Sequence, residues 1–181
     1  MIETSGAAEL SGTLAQWRDF YTLLGAASAT LVGLLFVAAS VGGSAFSSSR
    51  RAASRVFLSA SVVHFSSLLA ASLIVMVPGL GWRSFGVMIV GCGAVGLGYY
   101  GLTWRDMVKD GLARRIDWDD QVWYAVMPVI GYLCEAAAGV TLMARWHLSC
   151  DALAASLGLL LIIGLHNAWD ITLWSITRQN R

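Results

Sequence analysis

Charge is what this sequence has least of. Only 13% of its 181 residues are Asp, Glu, Lys or Arg, against roughly 25% in soluble domains. So few charges cannot coat a water-facing surface, which excludes an ordinary soluble domain. The formal net charge is +1, and no basic stretch marks a nucleic-acid binder, so nucleic acid is not an expected partner. Cysteine is nearly as sparse. Cys92, Cys134 and Cys150 are odd in number and widely spaced, which argues against a disulfide framework or a zinc site. They are expected as small buried apolar residues. Several catalytic signatures are missing too: no phosphate-binding glycine loop, no nucleophile-elbow serine and no HExxH. No internal repeat of the kind that marks many secondary transporters is visible. No catalytic residue, metal site or cofactor is assigned on this reading, and the chain is expected not to be an enzyme.

Apolar sequence fills the space left by charge. Hydrophobic residues make up 57% of the chain, with a mean hydropathy of +0.66. A helix crossing the hydrocarbon needs about 20 mostly apolar residues. Five stretches qualify, at 20–41, 56–77, 84–104, 122–143 and 153–174. The expected fold is an all-α, polytopic bundle of five transmembrane helices forming one domain over 1–181, because every backbone amide in lipid needs an internal partner. A polar extracytoplasmic segment, 1–19, precedes the first span. That segment, the length of the apolar run and the arginines after it argue against a cleaved signal peptide. Trp17, Trp82, Trp104, Trp123, Trp146 and Trp174 fall near the ends of the spans, as an aromatic belt requires.

Basic residues set the expected threading. With the N-terminus outside, Arg50, Arg51, Arg55, Arg105, Lys109, Arg114, Arg115, Arg178 and Arg181 lie inside. Arg18, Arg83 and Arg145 lie outside. This distribution follows the positive-inside tendency and places the C-terminus in the cytoplasm. The charged loop 105–121 is then cytoplasmic. Trp104, Val108, Leu112 and Ile116 recur there at four-residue steps, consistent with an amphipathic surface helix or an extension of the third span. "DWDD", Asp117 to Asp120, is expected to cap the fourth span rather than to bind a cation.

Small residues at four-residue spacing suit close helix packing. Gly25, Ala29 and Gly33 form one such row in the first span, and Gly131 and Gly139 flank Glu135 in the fourth. The third span carries Gly86, Gly91, Gly93, Gly96, Gly98 and Gly101, which suggests a central helix. The same rows would also serve self-association or a membrane-protein partner. Spans joined by short loops are expected to pair antiparallel. Pro128 removes one backbone hydrogen bond from the fourth span and is expected to kink it.

Ionisable groups at membrane depth cost about 2.5–3.5 kcal/mol on insertion scales, so each needs a partner, water or a role. The candidates are His64, Glu135, His166 and Asp170, with Asn167 among them. His64 and His166 lie at similar depths, roughly 12 Å from the inner end. His166 and Asp170 share a helix face four residues apart. Glu135 is deeper, roughly 20 Å in, with no lysine or arginine expected at its level. It is expected to be protonated, to face water, or to bond a hydroxyl such as Ser28 or Thr30. These residues would either cross-link helices or line a proton or ion path. The two histidines at equal depth also match axial haem ligation.

The run "WRDFYTLLGAASATLVGLLFVAASV" and the later "NAWD" add a resemblance. Trp17, Phe20, Tyr21, Gly25, Ala26 and Gly33 to Ala38, with Asn167 to Asp170, are similar to a pattern in a group of small polytopic bacterial membrane proteins. The match covers two of the five spans. It implies a bacterial inner membrane and supplies no activity. The function expected is a structural or partner-binding bundle, with proton or ion transport and haem-borne electron transfer as alternatives.

Overall fold

The structure, a computed structural model, describes the backbone of residues 2–42, 48–109 and 122–177, and the side chains of 6–40, 60–105 and 122–170. Every described element is helical. They are α1 (Ile2–Gln16), α2 (Arg18–Gly42), α3 (Ser48–Val75), α4 (Trp82–Lys109), a single π-turn (Val122–Val126), α5 (Met127–Met143) and α6 (Ser149–Thr177). Four stretches are long and apolar enough to cross a membrane: Arg18–Ser40, Trp82–Arg105, Val122–Met143 and Ser149–Asp170. The second expected span lies on helix α3, whose apolar part within the described side chains is Ala60–Val75. "SSRRAASR" is rich in Ala and Arg, both good helix formers. Residues expected to form a loop therefore extend α3 with polar turns instead.

The N-terminal polar segment is also helical. Its Leu10 and Gly6 are buried, Gly6 lying against Arg145 and Trp82. α1 thus folds onto the end of the bundle where α4 begins and α5 ends. Trp17 occupies the break between α1 and α2. Trp82 is buried, whereas Trp104 and Trp146 are exposed. α4 continues past the apolar run to Lys109, so the extension of the third span is the form observed as far as that residue. Leu112, Ile116 and Asp117 to Asp120 lie outside the described residues.

Glycine, more than loop length, decides which helices pack tightest. α4 packs most extensively on α5, although their connection is long, while the short turn between α3 and α4 joins a less extensive pair. A Cβ on Gly139 would meet the Gly86 carbonyl and the Val90 backbone within 2.8 Å, and one on Gly93 would meet Ala136 at 3.0 Å. The two backbones are therefore in direct contact. Gly131 faces the opposite neighbour, with Leu160 of α6 filling the space a Cβ would take. In α2 only Gly25 closes on another helix, against Ser72 of α3; Ala29 and Gly33 are exposed. Gly91, Gly98 and Gly101 likewise meet nothing.

The α5–α6 turn ends α5 with Arg145 in the left-handed region at φ 54°. Arg145 N–H bonds the Leu142 carbonyl and Trp146 N–H the Thr141 carbonyl, closing the helix with a Schellman-type cap. Between helices the core is filled by Tyr21, Phe65, Leu68, Phe85, Ile89, Tyr132, Leu142, Leu157 and Leu160, all fully or almost fully buried. The outward faces carry Leu23, Leu34, Phe36, Val95, Leu133 and Ile162. An apolar exterior of this kind suits lipid as solvent. Cys150 is buried and Cys92 half-buried, but Cys134 lies on the exposed face of α5, contrary to the buried role expected for all three. It shares that face with Leu133 because both are offset from the Gly131–Glu135 row that turns inward.

Candidate functional site

The polar residues gather between α3, α4, α5, α6 and the π-turn, and they begin with a proline. Pro128 has no N–H to donate. The π-turn before it spans Val122–Val126, and residue 128 has no N–H to reach back to the Trp123 carbonyl in the π register. Asn167 of α6 supplies the missing donor: its Nδ2 bonds the Trp123 carbonyl at 3.2 Å. Tyr124 answers in the other direction, its hydroxyl donating to the Asn167 backbone carbonyl at 3.2 Å. A defect in one helix is thus closed by two reciprocal bonds from the next. Asn167 is 5% exposed, and its Oδ1 has no hydrogen-bond partner.

The other two residues of the NAWD neighbourhood lie nearer the rim. The His166 ring packs edge-on against Trp123, ring centres 3.8 Å apart. Its Nε2 stands 3.9 Å from Asp170, one helical turn away, too far for a hydrogen bond. Both side chains are about a third exposed. The sequence spacing of four therefore brings them together as expected, at the edge of the bundle rather than in its centre.

His64 is fully buried on α3 and connects two other helices. Its Nε2 contacts the Leu160 carbonyl of α6. A carbonyl only accepts, so Nε2 carries the proton. Nδ1 is then the acceptor for the Tyr132 hydroxyl of α5, at 3.3 Å. The rings of His64 and Tyr132 also pack edge-to-face at 5.5 Å, and Tyr100 of α4 lies 5.8 Å from Tyr132. Gly164 makes this possible: a Cβ there would sit 2.7 Å from His64 and Phe65. Below His64, a void of about 10 Å³ is lined by Ala60, Ser61, Tyr100, Tyr124 and Asn167. That is about the space one water molecule needs.

His64 and Asn167 thus share one site, and His166 and Asp170 adjoin it. Glu135 does not join it directly. It lies one turn beyond Tyr132 on α5, at 0% exposure, and neither carboxyl oxygen has a hydrogen-bond partner among the described residues. Its electrostatic neighbours are Tyr132 and the Cys92 thiol of α4. The expected bond to Ser28 or Thr30 is not formed. Thr30 bonds the Ala26 carbonyl on its own helix, and the buried Ser28 hydroxyl is itself without a partner. Axial haem ligation by His64 and His166 fits poorly, because both His64 nitrogens are committed and His166 is held against Trp123. Among the described residues, no three His, Cys, Asp or Glu side chains converge as a metal site would need.

Tyr132, Tyr124, Tyr100 and Ser61 were not singled out by the sequence reading. The one available signal was tyrosine within apolar spans, where a buried hydroxyl needs a partner. A second cleft, of about 250 Å³, lies at the opposite end of the bundle between α1 and the turn after α3. It is lined by apolar side chains such as Leu10, Leu14 and Leu80, with Arg18 at its edge. No family model, no curated protein and no solved structure matches the chain.

Proposed function

We propose that the chain is a non-enzymatic membrane bundle, structural or partner-binding, in the inner membrane of a bacterium. Five helices cross the bilayer in this reading, with the N-terminus outside and the C-terminus in the cytoplasm. The distribution of basic residues supports that orientation. Helix α3 carries the remaining crossing, in the apolar stretch 56–77. The lipid bilayer is the first partner. A second copy or another membrane protein would dock on the exposed apolar faces of α2 and α4.

One observation carries the structural reading. The buried polar groups at the core of the site are engaged between helices: His64 to Leu160 and Tyr132, Asn167 to Trp123, Tyr124 to Asn167. The void they enclose has room for about one water and for no organic substrate. Thermal stability in detergent tests this. Tyr124→Phe and Asn167→Leu are expected to lower the melting temperature. Unchanged melting in both would remove the structural role.

A second reading, movement of protons or cations, is favoured by Glu135, which the hydrogen-bond scheme does not employ. Liposome flux compared between the native chain and Glu135→Gln separates the two. Flux lost in the variant supports transport, and equal, negligible flux in both supports the bundle alone.

A further inference from the structure

Among the described residues, Glu135 is a buried carboxyl with no hydrogen-bond partner. It is 0% exposed, and neither oxygen bonds any described residue. An ionised carboxylate in such a place would be uncompensated, since no lysine or arginine is among the described buried residues. The groups that face it are the Cys92 thiol from α4 and the Tyr132 phenol on its own helix. From α3, His64 reaches it only through Tyr132. From α6 the residues packed against this part of α5 are Leu160 and Ile163. None of these supplies a fixed positive charge.

Polar groups in side-chain contact continue from Glu135 toward the Asp170 end. Toward Asp170 come Tyr132, His64, the void with Ser61 and Asn167, and then His166 at the exposed rim. Toward Met143 the surrounding core is Phe85, Ile89, Leu142, Leu153 and Leu157; of the buried hydroxyls there, Ser156 bonds its own helix at the Leu153 carbonyl and Tyr21 bonds no side chain among the described residues. Asn167 lines the void, and its Oδ1 accepts no hydrogen bond from the described residues. A water there would receive a partner and would contact the His64 side of the cluster.

We infer that Glu135 is a proton-binding site inside the membrane, neutral at rest, which exchanges its proton with the membrane face that holds Asp170 by way of Tyr132, His64 and water in the void, the His64 Nε2–H turning from the Leu160 carbonyl to that water as the proton passes. Uptake forms one O–H bond on the carboxylate and takes one proton from water; release reverses both, and no other reactant is consumed. The inference goes beyond a structural bundle, and it holds whether or not net flux across the membrane occurs.

Infrared spectroscopy of the full chain in lipid tests it. At neutral pH the native protein is expected to show the carbonyl stretch of a protonated carboxyl, lost in Glu135→Gln. Transfer to D₂O is expected to shift that band with the fold intact, and more slowly in Tyr132→Phe. A native protein without the band overturns the inference. So does a band that never responds to D₂O, or one that exchanges equally fast in Tyr132→Phe. Should Glu135→Gln fail to fold, a lipid-soluble carbodiimide on the native chain replaces it. Modification mapped to Glu135 by peptide mass supports the site, and absence of modification there contradicts it.

Discussion

Replacing Asn167 by leucine removes one donor while nearly keeping the side chain's volume, and the structure says which acceptor suffers. The Trp123 carbonyl has no donor from residue 128, because that residue is proline, and Asn167 Nδ2 at 3.2 Å takes its place. Hydrogen bonds between transmembrane helices contribute about 0.6 kcal/mol on average and at most about 1.7. An otherwise orphaned carbonyl belongs near the upper value, at about 1.5 kcal/mol. For a chain of this size that corresponds to a fall of about 3–6 °C in melting temperature. The same logic fixes a coupling. Pro128→Ala returns an N–H to the helix, so the Trp123 carbonyl no longer depends on Asn167. Asn167→Leu should then cost about 1 kcal/mol less in the Pro128→Ala background. The assay is thermal unfolding of the four proteins of this cycle in one detergent, followed by tryptophan fluorescence. Equal losses in both backgrounds would refute the proposed exchange of donors.

Gly139→Ala should destabilise by about 1–3 kcal/mol, since its Cβ would strike the Gly86 carbonyl and the Val90 backbone, whereas Gly33→Ala, with nothing nearby, should be neutral or slightly stabilising; melting curves of the two compare them directly. Gly79→Ala should cost about 1 kcal/mol because residue 79 holds φ 75° in the turn before α4, while Gly81→Ala should not, again read by melting temperature. Cys134, exposed on the apolar face of α5, should resist membrane-impermeant thiol reagents in intact membranes and react after detergent extraction and unfolding, as mass spectrometry would show.

Helical class, apolar spans and most of the polar cluster were legible in the sequence because lipid forces both length and periodicity. The first, third, fourth and fifth stretches recur nearly unchanged as Arg18–Ser40, Trp82–Arg105, Val122–Met143 and Ser149–Asp170. The second was harder. Its helix begins at Ser48 among arginines and serines, where hydropathy alone suggests a loop. Pro128 announced a disruption, but not that it would take the form of a π-turn, nor that Asn167 would mend it, since that pairing spans 44 residues. Glycine rows revealed which helices could approach closely but not which face met which neighbour. Gly131 and Gly139, two turns apart, serve α6 and α4 respectively, and Gly33, in an equally good row, serves neither. The tyrosines escaped notice because a phenol carries no charge, and only the packed bundle shows Tyr132 aimed at His64.

Whether helix α3 crosses the bilayer decides the threading, the orientation of the polar series and the face from which Glu135 is reached. Single cysteines introduced at Gly12 and at Gln179 in a background without Cys92, Cys134 and Cys150, probed with an impermeant thiol reagent on sealed vesicles of known orientation, measure it directly. Five crossings predict labelling of the two positions from opposite faces. Labelling of both from the same face would contradict the account.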